Sequence, residues 1–305
     1  MTDAPPPTAS TTIRPRHQLD IAFAVRGVKT VRRRQGVHWW TTDTPEGVAA
    51  VAFRAGGDLV RADAWGTGTD WALTQLPALL GARDDDVDDF EPRAHPALAS
   101  LLQRSGPAVS GSLRIGATGR WYEALTTNTI GQRVVTADAK ASRERLCHRH
   151  GEPAAAGPTG AFPSPDRLLA LADHDFHRVG IERSRARVLR VAAKYAERLE
   201  RLDGEPAAHA TEWLQRLPGV GPWTTGLTTA VAGGDPDAVP VGDFHLPRLV
   251  TFALTGEQNG TDETMLEALA PFAGHRQRVV RLVKAYGPRP NPHGPAPFRS
   301  DISRI

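Results

Sequence analysis

From Leu19 to about Ala64 the apolar positions come in short runs, IAFAV, VHWWTT and VAAVAFRA, each bounded by glycine- or proline-containing turns, and GGDLVRADAW repeats the pattern. Runs of this length, rich in valine, threonine and tryptophan, predict strands. Arg54-Ala55-Gly56-Gly57-Asp58 predicts a hairpin, because paired glycines accept the positive φ of a tight turn. Asp70 is the expected N-cap of WALTQLPALLG, a short helix interrupted at Pro77 and stopped by Gly81. Beyond His95 the period changes. HPALASLLQRSG, RWYEALTTNTIGQRVVTADAKASRERLCHRHG, SPDRLLALAD, SRARVLRVAAKYAERLERL, AAHATEWLQRL, TDETMLEALAPF and AGHRQRVVRLVKAY space their apolar residues at three and four, the stripe of an amphipathic helix.

The expected fold class is therefore α+β. A small antiparallel sheet unit occupies residues 19–93, and a mainly helical, two-lobed part follows over 94–287. Residues 1–18, rich in proline and threonine, read as a disordered tail, and the proline-dense 288–305 as an extension on the surface. Trp39, Trp40, Trp65 and Trp71 are expected in the core of the strand unit.

Composition narrows the function classes. A single cysteine, Cys147, rules out an intrachain disulfide, and no cysteine or histidine cluster has zinc or iron–sulfur spacing. No apolar run approaches the roughly 20 residues of a membrane span, and the start has no signal-peptide core, so a cytoplasmic protein without a membrane partner is expected. The formal charge of +3 is compatible with a polyanionic partner. Arginines gather at Arg32–Arg34, Arg183–Arg201 and Arg276–Arg281, and acids in ARDDDVDDFEP; most such clusters are solvated helix faces. With no coiled-coil pattern, a monomer is expected.

The chemistry concentrates in LQRLPGVGPWTTGLTTAVAGGDPDAVPVGDFHLPRLV, Leu214 to Val250. Gly219 and Gly221 lie between two helical patterns and permit backbone angles closed to other residues, so amides at the next helix start can approach a phosphate, with hydroxyls of Thr224 and Thr225 beside them. An ordinary helix-to-helix turn with Pro222 at an early helical position fits the same residues. Downstream, Asp243 heads the helical FHLPRLVTFAL, where it reads both as an N-cap and as a carboxylate presented to a cleft.

With these motifs the chain resembles the helix-hairpin-helix DNA glycosylases, and within them the DNA-3-methyladenine glycosylase II group. The matching residues are the hairpin LPGVG, Trp223 beyond its last glycine, PVGD ending at Asp243, and NTIGQRVVTADA (Asn128 to Ala139), which matches the family's Gly-Gln turn. The similarity spans about Leu19 to Tyr286. It implies a base excision repair enzyme of the nucleoid, acting on double-stranded DNA that contains damaged, 3-methyladenine-like bases, with Asp243 as the catalytic carboxylate. Relatives with lyase activity carry a lysine where this chain has Trp223, so the resemblance implies a monofunctional hydrolase. It further implies a base pocket of Trp223, Trp121, Tyr122 and Leu227, although Trp121 and Tyr122 also fit core packing. DNA contacts are implied for Gly219, Val220, Gly221, Thr224, Thr225, Gln132, Arg133 and His245, with Arg133 where relatives often carry an apolar wedge. The carbonyls of Gln215, Leu217 and Val220 match those that hold a monovalent cation, Na+ or K+; no cofactor is needed for the chemistry. Two other readings fit: a non-catalytic helix-hairpin-helix DNA-binding protein, and a glycosylase for a deaminated base.

Overall fold

A computed structural model describes residues 5–105 and 113–291. Five strands, β1 (Ala9–Ile13), β2 (Val31–Arg34), β3 (Val37–Thr44), β4 (Gly47–Gly56) and β5 (Leu59–Trp65), form one antiparallel sheet in the order β1-β5-β4-β3-β2. The predicted glycine hairpin joins β4 to β5, with Gly56 opposite Leu59 and Gly57 at φ +64°.

The helices are α1 (Ile21–Ala24), α2 (Thr69–Leu79), α3 (Pro96–Ser105), α4 (Trp121–Thr129), α5 (Thr136–His150), α6 (Pro165–Ala170), α7 (Asp173–Arg178), α8 (Arg183–Lys194), α9 (Ala196–Glu200), α10 (Ala207–Gln215), α11 (Pro222–Ala232), α12 (Leu246–Thr255), α13 (Asp262–Leu269) and α14 (Arg276–Tyr286). No helix among the described residues is long and apolar enough to cross a membrane.

Several expectations are corrected here. The tail is not all irregular: β1 covers the open edge of β5, from Ala9 opposite Ala64 to Ile13 opposite Val60. Backbone pairing satisfies an exposed sheet edge whatever the side chains, which is why the polar ASTTI carried no strand signal. IAFAV is not a strand, because the Asp20 carboxylate accepts the Phe23 amide at 3.0 Å and caps a single helical turn. Asp70 makes no cap; it lies in the first turn of α2, which begins at Thr69 and runs through Pro77 to Leu79. Pro77 lies inside the helix and has no amide to donate to the Leu73 carbonyl, yet the helix continues to Leu79, and Gly81 follows at φ +89°. The long segment after Trp121 divides into α4 and α5, and Arg133 takes φ +56° in the turn between them. The extension 288–305 lies mostly outside the described residues.

Among the described residues two main apolar cores organise the helices, beside a third, minor cluster of Phe23, Leu102, Leu113 and Leu282. The larger joins Trp40, Val51 and Phe53 of the sheet to Leu76 and Leu79 of α2, Leu125 of α4, Leu189 of α8, Leu214 of α10 and Val231 of α11. The smaller gathers Leu98 of α3, Leu246 and Val250 of α12, Met265 and Leu269 of α13, and Val279 and Val283 of α14. Thus α11 belongs to one core and α12 to the other, and the loop carrying Asp243 bridges them.

Buried arginines of α14 tie these parts together. Arg281 donates to the carbonyls of Phe23 (3.0 Å), Ala24 (2.9 Å) and Ala230 (3.2 Å), and burial pushes its guanidinium pKa down to about 9. Arg278 forms a buried ion pair with Asp84 and donates to the Leu113 carbonyl at 3.0 Å. These two members of the Arg276–Arg281 cluster, and Asp84 of the acidic run, are not a solvated surface: Arg278 and Asp84 are paired and hydrogen-bonded, whereas Arg281 is held by backbone carbonyls, which is consistent with its depressed pKa.

Candidate active site

The hairpin follows from its glycines and its two buried side chains. Helix α10 ends at Gln215, the Val220 amide donates to the Leu217 carbonyl at 3.0 Å, and α11 starts at Pro222. Leu217 and Val220 point into the core while Pro218, Gly219 and Gly221 are exposed. The glycines differ in kind. Gly219 has φ +84°, and a Cβ there would lie 2.4 Å from Val188 Cγ2 on α8, so the fold itself requires glycine. Gly221 is extended at φ −102° with open space where a Cβ would be, so nothing inside the protein requires it. An absent side chain that the fold does not need leaves the α11 amides open to a ligand from outside.

Gln132, in the turn after α4, donates through Nε2 to the Gly219 carbonyl at 3.0 Å and to Thr224 Oγ1 at 2.8 Å. It therefore fastens that turn to the hairpin. Thr224 and Thr225 are buried, so their hydroxyls face the interior and do not extend the phosphate-facing surface. Arg133, next to Gln132, is exposed at the tip of the same turn in the left-handed region.

Asp243 lies at the end of a loop held by its neighbours. Asp237 accepts from the Gly274 amide at 2.9 Å and from the Arg276 side chain, anchoring the loop to the start of α14. Asp243 Oδ1 accepts the amides of His245 and Leu246, each at 2.9 Å, but the N-cap position of α12 falls to His245, so the expected cap is corrected to a carboxylate that closes the turn leading into the helix. Its Oδ2 accepts the indole N–H of Trp223 at 2.8 Å. Burial pushes the Asp243 pKa up, but the Trp223 bond, the two amides and the Lys284 charge outweigh it and hold the carboxyl below its ordinary value. At neutral pH the group is an anion, suited to stabilise a cation or orient water and unsuited to donate a proton.

Around this pair the structure gathers residues from distant segments. Leu227 follows Trp223 by one turn of α11 and is half-buried on the same face. Phe244, beside Asp243, is 91% exposed, with its ring edge-on to His245 at 4.8 Å. Lys284 of α14 is exposed, yet desolvation lowers its amine pKa, while Asp243 opposes that shift. Lys29 reaches the same region from the N-terminal unit, donating to Asn128 Oδ1 at 2.7 Å and the Thr127 carbonyl at 3.3 Å.

Trp121 and Tyr122 lie elsewhere. Trp121 is buried beneath Gly233, and Tyr122 donates to the Pro163 carbonyl at 3.0 Å with its ring edge-on to Phe162. Both are core. Phe244, Lys29 and Lys284 were not among the residues expected from sequence. Phe244 left a local signal, an aromatic directly after the polar loop, whereas the two lysines come near each other only through long-range packing.

No protein-family model and no curated protein matches the chain. Solved structures do. A 3-methyladenine DNA glycosylase from Archaeoglobus fulgidus superposes with a TM-score of 0.74 over 90% of this chain and 98% of its own, at 18% identity. This chain has the helix-hairpin-helix DNA glycosylase fold. Other structures with the glycosylase fold are also similar. The Clostridium acetobutylicum 8-oxoguanine glycosylase/lyase gives a TM-score of 0.69 at 14% identity, over 91% of this chain and 96% of that one. A Schizosaccharomyces pombe 3-methyladenine DNA glycosylase in complex with abasic DNA gives 0.52 at 17% identity, over 62% and 90%. The same fold thus carries proteins named as a glycosylase and as a glycosylase/lyase.

Proposed function

We propose that this protein is a monofunctional DNA glycosylase that hydrolyses the N-glycosidic bond of flipped, alkylated bases in double-stranded DNA. The observation that carries this reading is the half-buried Asp243 carboxylate, held as an anion by Trp223 and two amides, beside a hairpin with an open Gly221. The hairpin amides and the positive end of α11 would hold a phosphate, and Arg133 would enter the space left by the flipped nucleotide. Leu227 and Phe244 offer the apolar surface that an unstacked base needs, and the electron-rich indole of Trp223 favours a cationic alkylated purine. As the glycosidic bond stretches, positive charge grows on the sugar, and the Asp243 anion stabilises it and orients the attacking water. A cationic base is a good leaving group and needs little proton donation.

Hydrolysis without strand cleavage follows from Trp223, an indole committed to Asp243 where lyase relatives carry an amine. A monovalent cation fits the hairpin: α10 ends there, and among the described residues the Gln215 carbonyl has no backbone donor, while the Leu217 carbonyl accepts only Val220. Such an ion would bridge the negative end of α10 to a DNA phosphate. The test is release of free base from alkylated duplex DNA by the wild type and by Asp243→Asn, with borohydride trapping as a check on lyase chemistry. Release by the wild type alone, with no trapped adduct, is the expected outcome.

A further inference from the structure

Strands β2 and β3 meet α5 and the segment 159–162 around a cavity of about 340 Å³ that opens to solvent. Lys29, Arg32 and Arg143 line it, together with Thr30, Thr41 and Thr159. Glu144 is the one carboxylate among the described lining residues, and it is already paired with Arg32 at 2.9 Å. Burial pushes the Cys147 thiol up to about 12, so it adds no negative charge at neutral pH. Glu123 lies behind Thr30, whose hydroxyl it accepts at 3.0 Å, and burial pushes its pKa up to about 7. Three cations thus share one small space with a single acid that is already engaged.

Arg143 decides what that space is for. It is only 8% exposed, yet its guanidinium donates to no acceptor among the described residues, and none of its nitrogens is sealed from solvent. Its N–H groups therefore open onto the cavity it lines. The other buried arginines are answered by the protein. Arg120 pairs with Glu200 at 3.3 Å, Arg185 donates to the Ile130 carbonyl at 2.8 Å, Arg278 pairs with Asp84, and Arg281 donates to three carbonyls. The hydroxyls of Thr41 and Thr159 likewise bond to no described residue. A buried charge without a partner costs stability, and an unanswered cluster of donors marks the place of a missing acceptor. Charge repulsion adds to that cost: burial and then Arg32 lower the Arg143 pKa, and burial, then Arg143 and Lys284, bring Lys29 down to about 7.

We propose that the seam between the sheet and α5 is a binding site for a phosphate group, held by the guanidiniums of Arg143 and Arg32, the Lys29 amine and the hydroxyls of Thr41 and Thr159. The donors suffice. Arg143 has all five N–H groups free, and Arg32 gives one of its five to Glu144. Lys29 spends two of its three on Asn128 Oδ1 (2.7 Å) and the Thr127 carbonyl (3.3 Å), leaving one. Planar guanidinium forks match the oxygens of a phosphate, and its negative charge would relieve the repulsion among the three cations and keep Lys29 protonated. The cavity lies at the small end of the range for ligand sites, which suits a single phosphate group, free or carried by a nucleic-acid chain. This site uses neither Asp243 nor the hairpin, so it stands apart from base excision.

The test compares melting temperatures of wild type, Arg143→Met and Thr159→Val in inorganic phosphate and in chloride of equal ionic strength, at one pH near neutral. In about 20 mM phosphate the wild type should melt about 2–4 °C higher than in chloride. Thr159→Val should need about tenfold more phosphate for the same rise, and Arg143→Met, which shares every nonspecific effect of the salt, should show none. In chloride Arg143→Met should be at least as stable as the wild type, because it removes an unpaired buried charge. No rise in the wild type, or an Arg143→Met that is less stable in chloride and responds to phosphate as the wild type does, would overturn the site. If Arg143→Met does not fold, an unchanged phosphate response in Thr159→Val overturns it instead. Anisotropy titration of duplex DNA then names the carrier. A free phosphate leaves the duplex affinity of Arg143→Met equal to that of the wild type, whereas a backbone phosphate lowers it and reduces the salt slope by about one.

Discussion

The indole N–H of Trp223 donates to Oδ2 of Asp243 at 2.8 Å, tying the first turn of the helix after the hairpin to the carboxylate at the head of the next. One bond therefore sets the distance between the surface that would hold phosphate and the group that would face the sugar. It also leaves the carboxylate ionised below its ordinary range.

Asp243→Asn should remove base release by at least about 10²-fold while binding to an abasic-site duplex is retained. An asparagine has one acceptor oxygen for the three N–H groups that now share two, so the variant should also lose about 1–3 kcal/mol of stability, read from denaturant melts.

Trp223→Phe keeps a ring but removes the indole donor, so the Asp243 pKa should rise. In the wild type the folded-state pKa lies below the ordinary 3.8, so the ionised form persists as pH falls through that value. The acid limb of base release should accordingly move to higher pH in the variant. Coincident pH–rate profiles would count against the assignment of this bond.

The two hairpin glycines should separate folding from binding. Gly219→Ala combines φ +84° with a 2.4 Å approach to Val188 and should cost about 1–3 kcal/mol of stability. Gly221→Ala should melt like the wild type yet bind every duplex more weakly, in fluorescence-anisotropy titrations at fixed salt.

Arg133→Gly should relieve a left-handed backbone, leaving stability unchanged or raised by about 1 kcal/mol, while slowing release from paired duplex more than from a flexible mismatch. Faster or unchanged release from both would remove the side chain from base flipping.

Glu123 on α4 accepts hydroxyls from Thr30 and Thr42, each at 3.0 Å, and burial pushes its pKa up to about 7. Because this lies above the ordinary 4.5, the unfolded chain gives up the proton first, and stability falls as pH rises from about 4.5 through about 7. In Glu123→Gln the loss of stability between about pH 5 and about pH 8 should shrink, as measured by chemical denaturation.

Local rules explain what was legible beforehand. The change from period two to period 3.6 separated sheet from helices, the paired glycines placed the β4–β5 turn, and the position of Asp243 before an apolar stripe marked a carboxylate bonded to amides at a helix start. Each depends on residues within about one turn of one another, so spacing alone reports it. The same reasoning could not show that ASTTI pairs with β5, that Thr224 and Thr225 face inward, or that Trp121 and Tyr122 are core. Those outcomes depend on which surface each element meets.

By itself, then, the sequence determined the α+β composition, the hairpin and the carboxylate that follows it. Only the tertiary structure decided which charges lie inside and which face the cleft. Arg278 and Arg281 sit in a basic run that reads as solvent-facing, yet Asp84 and the carbonyls of Phe23, Ala24 and Ala230 satisfy them in the interior. Lys29 and Lys284 stand near opposite ends of the chain, and folding brings their charges within reach of each other, with Lys284 beside Asp243. The reason is physical: the ionisation of a group depends on the solvent and charges around it, and those are set by neighbours in space.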